Sequence, residues 1–296
     1  MDRTIAFIGL GTMGRPMASN LLKGDFTIRA FDIVPGAVDA LASAGATPTG
    51  SPAEAAQGAD VVITMLPNSS HVDEAVFGLG GIAEGIAPNA LYIDMSTIAP
   101  AMTDSLAGRL AERGVAMVDA PVGRQQQHAI EGKLLIMVGG KVSDLERARP
   151  VLERMGDTIV HCGAVGAGSR MKIVNNFMSI TLNVTTAEAL TLAEASGLDV
   201  EVARKVMLGT AAGLGHLGTT YPAKVLKGDL APGFMVELAL KDLRLAIELG
   251  QSLGLPLQTG RSAERAYDAA EKAGYGRNDW SALYAYSRKS LQDSGD

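Results

Sequence analysis

Four polar residues stand at helical spacing in the segment RMKIVNNFMSI: Lys172, Asn175, Asn176 and Ser179, at offsets 0, +3, +4 and +7. On an α-helix these positions share one face. The residues around them are apolar, and an ammonium or amide buried without partners is costly. Two roles suit such a stripe. It is either a hydrogen-bonded polar cluster between domains, or a catalytic face on which Lys172 protonates a carbonyl oxygen while Asn176 orients the substrate. Burial lowers the pKa of an ammonium towards the working pH, which suits a general acid. A second candidate is Gly123-Arg124, which follows directly on the apolar run VDAPV. A guanidinium there is either a surface charge or a planar fork of donors for an oxyanion.

A third group of residues binds rather than reacts. GLGTMG is Gly9-x-Gly11-x-x-Gly14, with a strand-like run before it, a helical pattern after it, and Asp32 ending the next strand-like run. In that context Gly9 permits the tight turn, Gly11 lets the backbone approach a pyrophosphate, and Gly14 lets helix and strand pack closely. The pyrophosphate would rest on the amides at the helix N-terminus, with Thr12 and Met13 in the same cofactor-binding turn. Asp32 would accept hydrogen bonds from the adenosine ribose and repel a 2′-phosphate. No Arg stands at 33 or 34, so NAD(H) is favoured over NADP(H). The plain alternative is a glycine-rich turn without a ligand. ITMLPNSS and DMSTIAP are two further strand ends expected at the same rim. They would bring Leu66, Pro67, Ser96 and Thr97 against the nicotinamide half.

The elements that must position these groups follow from periodicity. Short β-rich runs, TIAFI (4–8), TIRAFD (27–32), VVITML (61–66), LYIDMS (91–96), VAMVDA (115–120) and LLIMVGG (134–140), alternate with Ala-rich helical patterns such as 13–22, 37–44 and 103–113. Apolar runs without polar alternation predict a mostly parallel, doubly wound sheet covered on both faces. After CGAVGAG (162–168) the strand signals stop. Residues 169–196 read as one helix about 42 Å long at 1.5 Å rise. Its apolar residues lie almost all round the axis, so it is expected to be buried. Helical patterns at 199–209, 234–252, 258–273 and 279–291 follow, with Asp279 as a cap. The domain boundary is placed after residue 163: residues 1–163 take the cofactor, and residues 164–296 form an all-α substrate and oligomerisation domain.

The totals narrow the function classes. A chain of 296 residues with 47% hydrophobic and 20% charged residues is too apolar for a disordered protein. A net charge of −6 without a basic block argues against nucleic acid as partner. The single Cys162 excludes an intrachain disulfide and fits a reducing cytoplasm, and one Cys with four scattered His argues against a structural zinc site. No stretch approaches the roughly 20 apolar residues of a membrane helix. A soluble, cytoplasmic protein is expected, with no metal.

Taken together, GLGTMG, DMST, DAPV with its small-residue turn, EGKLLIMVGG, GAGSRMKIVNN and ELALKDLRLA resemble the β-hydroxyacid dehydrogenase family, which includes 3-hydroxyisobutyrate dehydrogenase and tartronate semialdehyde reductase. The resemblance spans essentially the whole chain. It implies an α/β Rossmann domain, an all-α helical domain joined to it by a long interdomain helix, and homodimers or homotetramers. It also makes Lys172 the catalytic residue, Asn176 its substrate-binding neighbour, and Lys241 of LKDL a contact at the cofactor end. From the residues alone, Lys241 and Asp242 read as an exposed helix pair.

In most of that family DAPV is followed by Ser-Gly-Gly, which holds a substrate carboxylate; here Gly123, Arg124 and Gln125 stand in its place. PVGR, IVNNFMS and GTAAGLGHLGTTYP look like the 3-sulfolactaldehyde reductase branch. That likeness implies NADH-dependent reduction of 3-sulfolactaldehyde to 2,3-dihydroxypropane-1-sulfonate in sulfosugar breakdown, or sulfoglycolysis. Gly123, Arg124, Asn175, Asn176 and Ser179 would hold the sulfonate. A dehydrogenase of a short hydroxy acid, such as 4-hydroxybutyrate, 3-hydroxyisobutyrate or glycerate (from tartronate semialdehyde), stays open beside it, as does a cofactor-binding module without catalysis. His216, in a glycine-rich segment, is a substrate contact or a structural residue, and His71, His128 and His161 read as surface or strand-end residues.

Overall fold

The apolar runs of the first half become strands because alternate residues have a core to enter on each side. In β1 (Arg3–Ile8), Ile5 and Phe7 enter one core cluster while Ala6 and Ile8 enter another. Fully burying an Ile or Phe side chain contributes roughly 1.5–3 kcal/mol. This computed structural model describes residues 3–24, 26–195, 197–209, 213, 215–252 and 256–293. Its further strands are β2 (Phe26–Phe31), β3 (Thr47–Pro48), β4 (Val61–Thr64), β5 (Leu91–Asp94), β6 (Ala116–Asp119), β7 (Val122–Gly123), β8 (Leu134–Gly139) and β9 (Gly156–Gly163). They form one sheet in the order β3-β2-β1-β4-β5-β6-β8-β7, with β9 also on β8. The first six strands in this order pair in parallel, β8 runs antiparallel to β6 and β7, and β9 is parallel to β8. Helices such as Gly14–Leu22, Pro100–Ala111 and Val142–Leu152 cover the faces. This is the Rossmann arrangement.

Two compact units make up the chain, Met1–Lys172 and Ile173–Asp296. The division falls inside the helix Ala167–Ala195, beyond the strand signals, because the first turn of that helix is bonded to the first unit. In the second unit the helices Val200–Leu208, Val236–Ser252, Gln258–Ala270 and Leu283–Asp293 surround a core that includes Ile180, Val184, Tyr221, Leu243, Tyr267 and Trp280. Asn183, wholly buried there, donates to the Tyr267 hydroxyl at 2.8 Å and to the Trp280 carbonyl at 2.7 Å. Asp279 caps the turn before the last helix, accepting from Ser281 N–H at 3.1 Å.

One expectation fails. The long helix is not buried all round: Val174 is 57%, Met178 64% and Leu182 39% exposed, while Ile173, Asn176, Ile180 and Val184 are buried. An apolar residue is driven inward only where a neighbouring element supplies a surface, and this side of the helix has none among the described residues. Among the described residues no helix is long and apolar enough to cross a membrane, and no cluster of His, Cys, Asp and Glu could hold a metal ion.

Candidate active site

The glycine-rich turn joins β1 to the helix Gly14–Leu22. Gly9 takes φ +97°, a left-handed conformation that side chains resist, and a Cβ there would strike the Met65 carbonyl beyond β4. A Cβ on Gly14 would strike the Gly9 carbonyl, so the helix packs directly on the turn. Gly11 differs: among the described residues, nothing beyond its chain neighbours lies within 4 Å of where its Cβ would be. That open side lets a backbone amide approach a phosphate at the positive end of a helix. Thr12 is exposed beside it, and Met13 is half-buried against the core. Asp32 follows β2; its Oδ2 accepts from Leu10 N–H at 2.6 Å and its Oδ1 from Val34 N–H at 2.8 Å. The carboxylate thus braces the turn, and each oxygen retains a lone pair for a ribose hydroxyl. The arrangement fits a dinucleotide.

At the carboxyl edge, β4 and β5 end side by side, with Thr64 paired to Asp94. Leu66 N–H donates to Ser96 Oγ at 2.9 Å and ties the two rim loops together. Leu66 and Thr97 are half-buried and Pro67 is exposed on these loops. Beneath them, Asp94 Oδ1 accepts from Thr64 Oγ1 at 2.9 Å and from Ser96 N–H at 3.1 Å, and the Tyr92 hydroxyl lies 2.6 Å from Thr64 Oγ1. Asp94 Oδ2 has no hydrogen-bond partner among the described residues. Burial lifts this carboxyl to about 6, against the opposing bonds from Ser96 and Thr64.

β6 ends at Asp119, a buried carboxylate whose two oxygens accept from Gly166 N–H and Ser169 N–H, both at 2.6 Å. Burial raises its pKa, and these donors pull it back. Ser169 and Thr103 add a side-chain bond at 3.0 Å. A Cβ on Gly139 would strike Asp119 Oδ1, and one on Gly168 would strike the Met137 carbonyl, so glycine is what lets strand and helix close here. The long helix therefore starts from a pinned end, and half-buried Lys172 lies about one turn further along it. Sequence inspection missed Asp119. Its signal was an acidic residue ending the apolar run VAMVDA, just where a strand reaches the rim.

Gly123 is buried as the last residue of β7, and Arg124 follows with φ +75°. The guanidinium does not hang in solvent. Nη1 donates to the Lys133 carbonyl and, at 2.6 Å, to Asp157 Oδ1; Nη2 donates to Thr158 Oγ1 at 3.2 Å. Its side chain is 32% exposed.

The remaining predicted residues lie in the second unit. Asn176 is buried, and its Nδ2 donates to Asp242 Oδ2. A carboxylate only accepts, so the amide nitrogen must face it. Lys241 pairs with Asp242 Oδ1 at 2.8 Å. Contrary to an exposed helix pair, Asp242 is only 2% exposed: it falls on the buried face of Val236–Ser252, with Ala239, Leu243 and Ala246. That register was the overlooked signal. Asn175, exposed, donates to Asn176 Oδ1 at 3.3 Å. Ser179 Oγ lies 3.5 Å from His216 Nε2, which donates to the Ser179 carbonyl at 2.5 Å. His216 packs edge-on against Trp280, and burial holds its pKa below the usual histidine value. Residues 210–212 and 214 of its glycine-rich segment lie outside the described residues. The cofactor cradle, Arg124 and Lys172 thus belong to the first unit, and Asn175, Asn176, Ser179 and Lys241 to the second.

Known proteins resemble this chain along nearly its whole length. A family model described as the NAD binding domain of 6-phosphogluconate dehydrogenase matches residues 4–163, and one described as NAD-binding of NADP-dependent 3-hydroxyisobutyrate dehydrogenase matches residues 166–287. The chain is 49% identical to 3-sulfolactaldehyde reductase of Escherichia coli (strain K12), covering 97% of this chain and 96% of that one. It is 42% identical to the NAD-dependent L-serine dehydrogenase of Pseudomonas aeruginosa, covering 95% and 96%. Among solved structures, the Mycobacterium tuberculosis 3-hydroxyisobutyrate dehydrogenase with L-serine superposes with a TM-score of 0.90 at 36% identity, over 97% of this chain and 100% of that one.

Proposed function

Because the chain belongs to the 3-hydroxyisobutyrate dehydrogenase family, and so is an NAD-dependent oxidoreductase, we propose that it is a cytoplasmic reductase of 3-sulfolactaldehyde, forming 2,3-dihydroxypropane-1-sulfonate with NADH in the breakdown of sulfosugars. The observation that carries the substrate is the likeness to 3-sulfolactaldehyde reductase along nearly the whole chain. Arg124 gives that substrate a chemical basis, since a guanidinium presents paired donors to a sulfonate's oxygens. Asp32, followed by Ile33 and Val34 rather than Arg, supports NADH over NADPH.

NADH, when bound, supplies a hydride to the aldehyde carbon. The residues of this chain do the rest. Gly9, Gly11, Thr12, Met13 and Gly14 hold the pyrophosphate, and Asp32 takes the ribose. Leu66, Pro67, Thr97 and Lys241 line the nicotinamide end. Lys172 Nζ gives a proton to the carbonyl oxygen as negative charge develops there. Asn176 orients the substrate, with its own amide steadied by Asp242. Arg124 holds the sulfonate together with Gly123, Asn175, Asn176 and Ser179. The enzyme works as a homodimer or homotetramer. In support, Val174, Met178 and Leu182 on the long helix and Val202 and Val206 on Val200–Leu208 are exposed apolar side chains in the second unit.

The 42% identity to an L-serine dehydrogenase favours a second reading, oxidation of a short β-hydroxy acid whose carboxylate the same arginine would grip. Steady-state kinetics separate the two. The test set is sulfolactaldehyde, methylmalonate semialdehyde, tartronate semialdehyde and succinic semialdehyde, with L-serine in the oxidative direction. The sulfonate should lead in kcat/KM by at least about tenfold, the size of one well-placed charged contact. Equal values for sulfonate and carboxylate aldehydes would remove the specificity. In Arg124→Gly the KM for sulfolactaldehyde should rise while NADH affinity stays unchanged.

A further inference from the structure

The strand register brings a clamp to Arg124. Gly123 of β7 pairs with Leu135 of β8, and Leu135 pairs with Thr158 of β9. The arginine therefore reaches across one strand to its neighbour, about 10 Å at the usual inter-strand spacing. On β9 the register jumps: Leu134 pairs with Gly156 but Leu135 with Thr158, so Asp157 is an extra residue, a β-bulge. In a regular strand Asp157 and Thr158 would point to opposite faces. Here both touch the same guanidinium, and Thr158 Oγ1 donates to Asp157 Oδ1 at 2.7 Å. Bulges re-aim side chains in this way. A Cβ on Gly156 would strike the Leu134 carbonyl, so glycine admits the bulge at close quarters.

The clamp uses three of the five guanidinium donors: both N–H groups of Nη1 and one of Nη2. Among the described residues Nε–H and the other Nη2–H have no acceptor; they lie along one edge of the planar group and together form a fork for two oxygens. Arg124 also sits at φ +75°, a left-handed conformation that is strained for a non-glycine residue and persists only where its surroundings hold it.

We propose that Asp157 is a positioning residue: with Thr158 and the Lys133 carbonyl it grips the far edge of the Arg124 guanidinium, so that the free edge is pre-set for two oxygens of the substrate's anionic group. The inference rests on the proposed role of Arg124. Pre-setting lowers the ordering cost of binding, so Asp157 acts on substrate affinity and leaves the proton transfer alone.

Four proteins test it with sulfolactaldehyde and NADH: Asp157→Ala, Asp157→Asn, Arg124→Gly and the double variant that combines Asp157→Ala with Arg124→Gly. Asp157→Ala should raise the aldehyde KM about tenfold, with kcat and the NADH KM within about twofold. Asn keeps one acceptor oxygen, so Asp157→Asn should recover most of the loss. In the Arg124→Gly background, Asp157→Ala should change KM no further, since the two positions act as one unit. A KM unchanged or lowered in Asp157→Ala, with Arg124→Gly impaired, overturns the positioning role alone. An Asp157→Ala effect that persists in the Arg124→Gly background, or that Asn does not relieve, does the same. If Arg124→Gly itself leaves KM unchanged, the substrate assignment falls and the clamp with it.

Discussion

At Asp94, burial leaves Oδ2 without a hydrogen-bond partner among the described residues and lifts the carboxyl to about 6. The folded-state value stands above the unfolded one, so the folded chain binds this proton more tightly. That stabilisation is complete below about pH 4 and lost as pH rises through about 6, a swing of roughly 3 kcal/mol. Asp94→Asn mimics the protonated form and keeps an acceptor for Ser96 and Thr64. Its Tm relative to the parent should therefore be higher at pH 8 than at pH 4.5, by thermal melts at both; an equal difference would show that Asp94 does not titrate in this window. Lys172 calls for a different measurement. Lys172→Ala should lower kcat on the order of 10²–10⁴-fold, the usual reach of one general acid. NADH binding, followed by its fluorescence, should be unchanged, and a kcat within tenfold of the parent would remove the lysine from proton transfer. Lys172, Arg124 and Asp32 were legible one at a time because each carries a charge where its surroundings are apolar or glycine-rich. Asp242 was not, because its meaning lies in helix register and in a partner 66 positions away in the chain.

Among the elements, the long helix depends most on one side chain. Asp119→Ala leaves the N–H groups of Gly166 and Ser169 unpaired in a buried place, at about 1–3 kcal/mol for each. The helix start should loosen and Lys172 should lose its fixed position. Expected outcomes are a lower Tm and a kcat that falls more than NADH affinity, with Asp119→Asn intermediate because it keeps one accepting oxygen. A fall in Tm with kcat intact would mean that Asp119 holds the fold without placing the lysine. The six apolar strand runs were readable because continuous burial leaves a continuous apolar signal. β3, β7 and β9 were not: two are two residues long, and β9, GDTIVHCG, is an edge strand with polar and exposed residues. Their existence depends on β2 and β8 being there to pair with; β7 leads into Arg124, and β9 supplies the two side chains that hold it.

For the whole molecule, the exposed apolar side chains Val174, Met178 and Leu182 motivate a prediction about assembly. Light scattering should give a dimer or tetramer mass, and the pair Val174→Asp with Met178→Asp should shift it towards the monomer. A monomer mass for the parent chain at micromolar concentration would refute the oligomer. The sequence by itself determined the alternation of strand and helix, the glycine turn, the place where strands give way to helices, and which charged residues stand in the reactive segments. All of these are encoded in neighbours a few positions apart. Only the tertiary structure decided that Asp119 pins the long helix, that Asp242 faces Asn176, and that a bulge at Asp157 turns two successive side chains onto Arg124. Each of those contacts joins residues more than thirty positions apart, and their geometry is set by strand register and helix rotation, which no local pattern records.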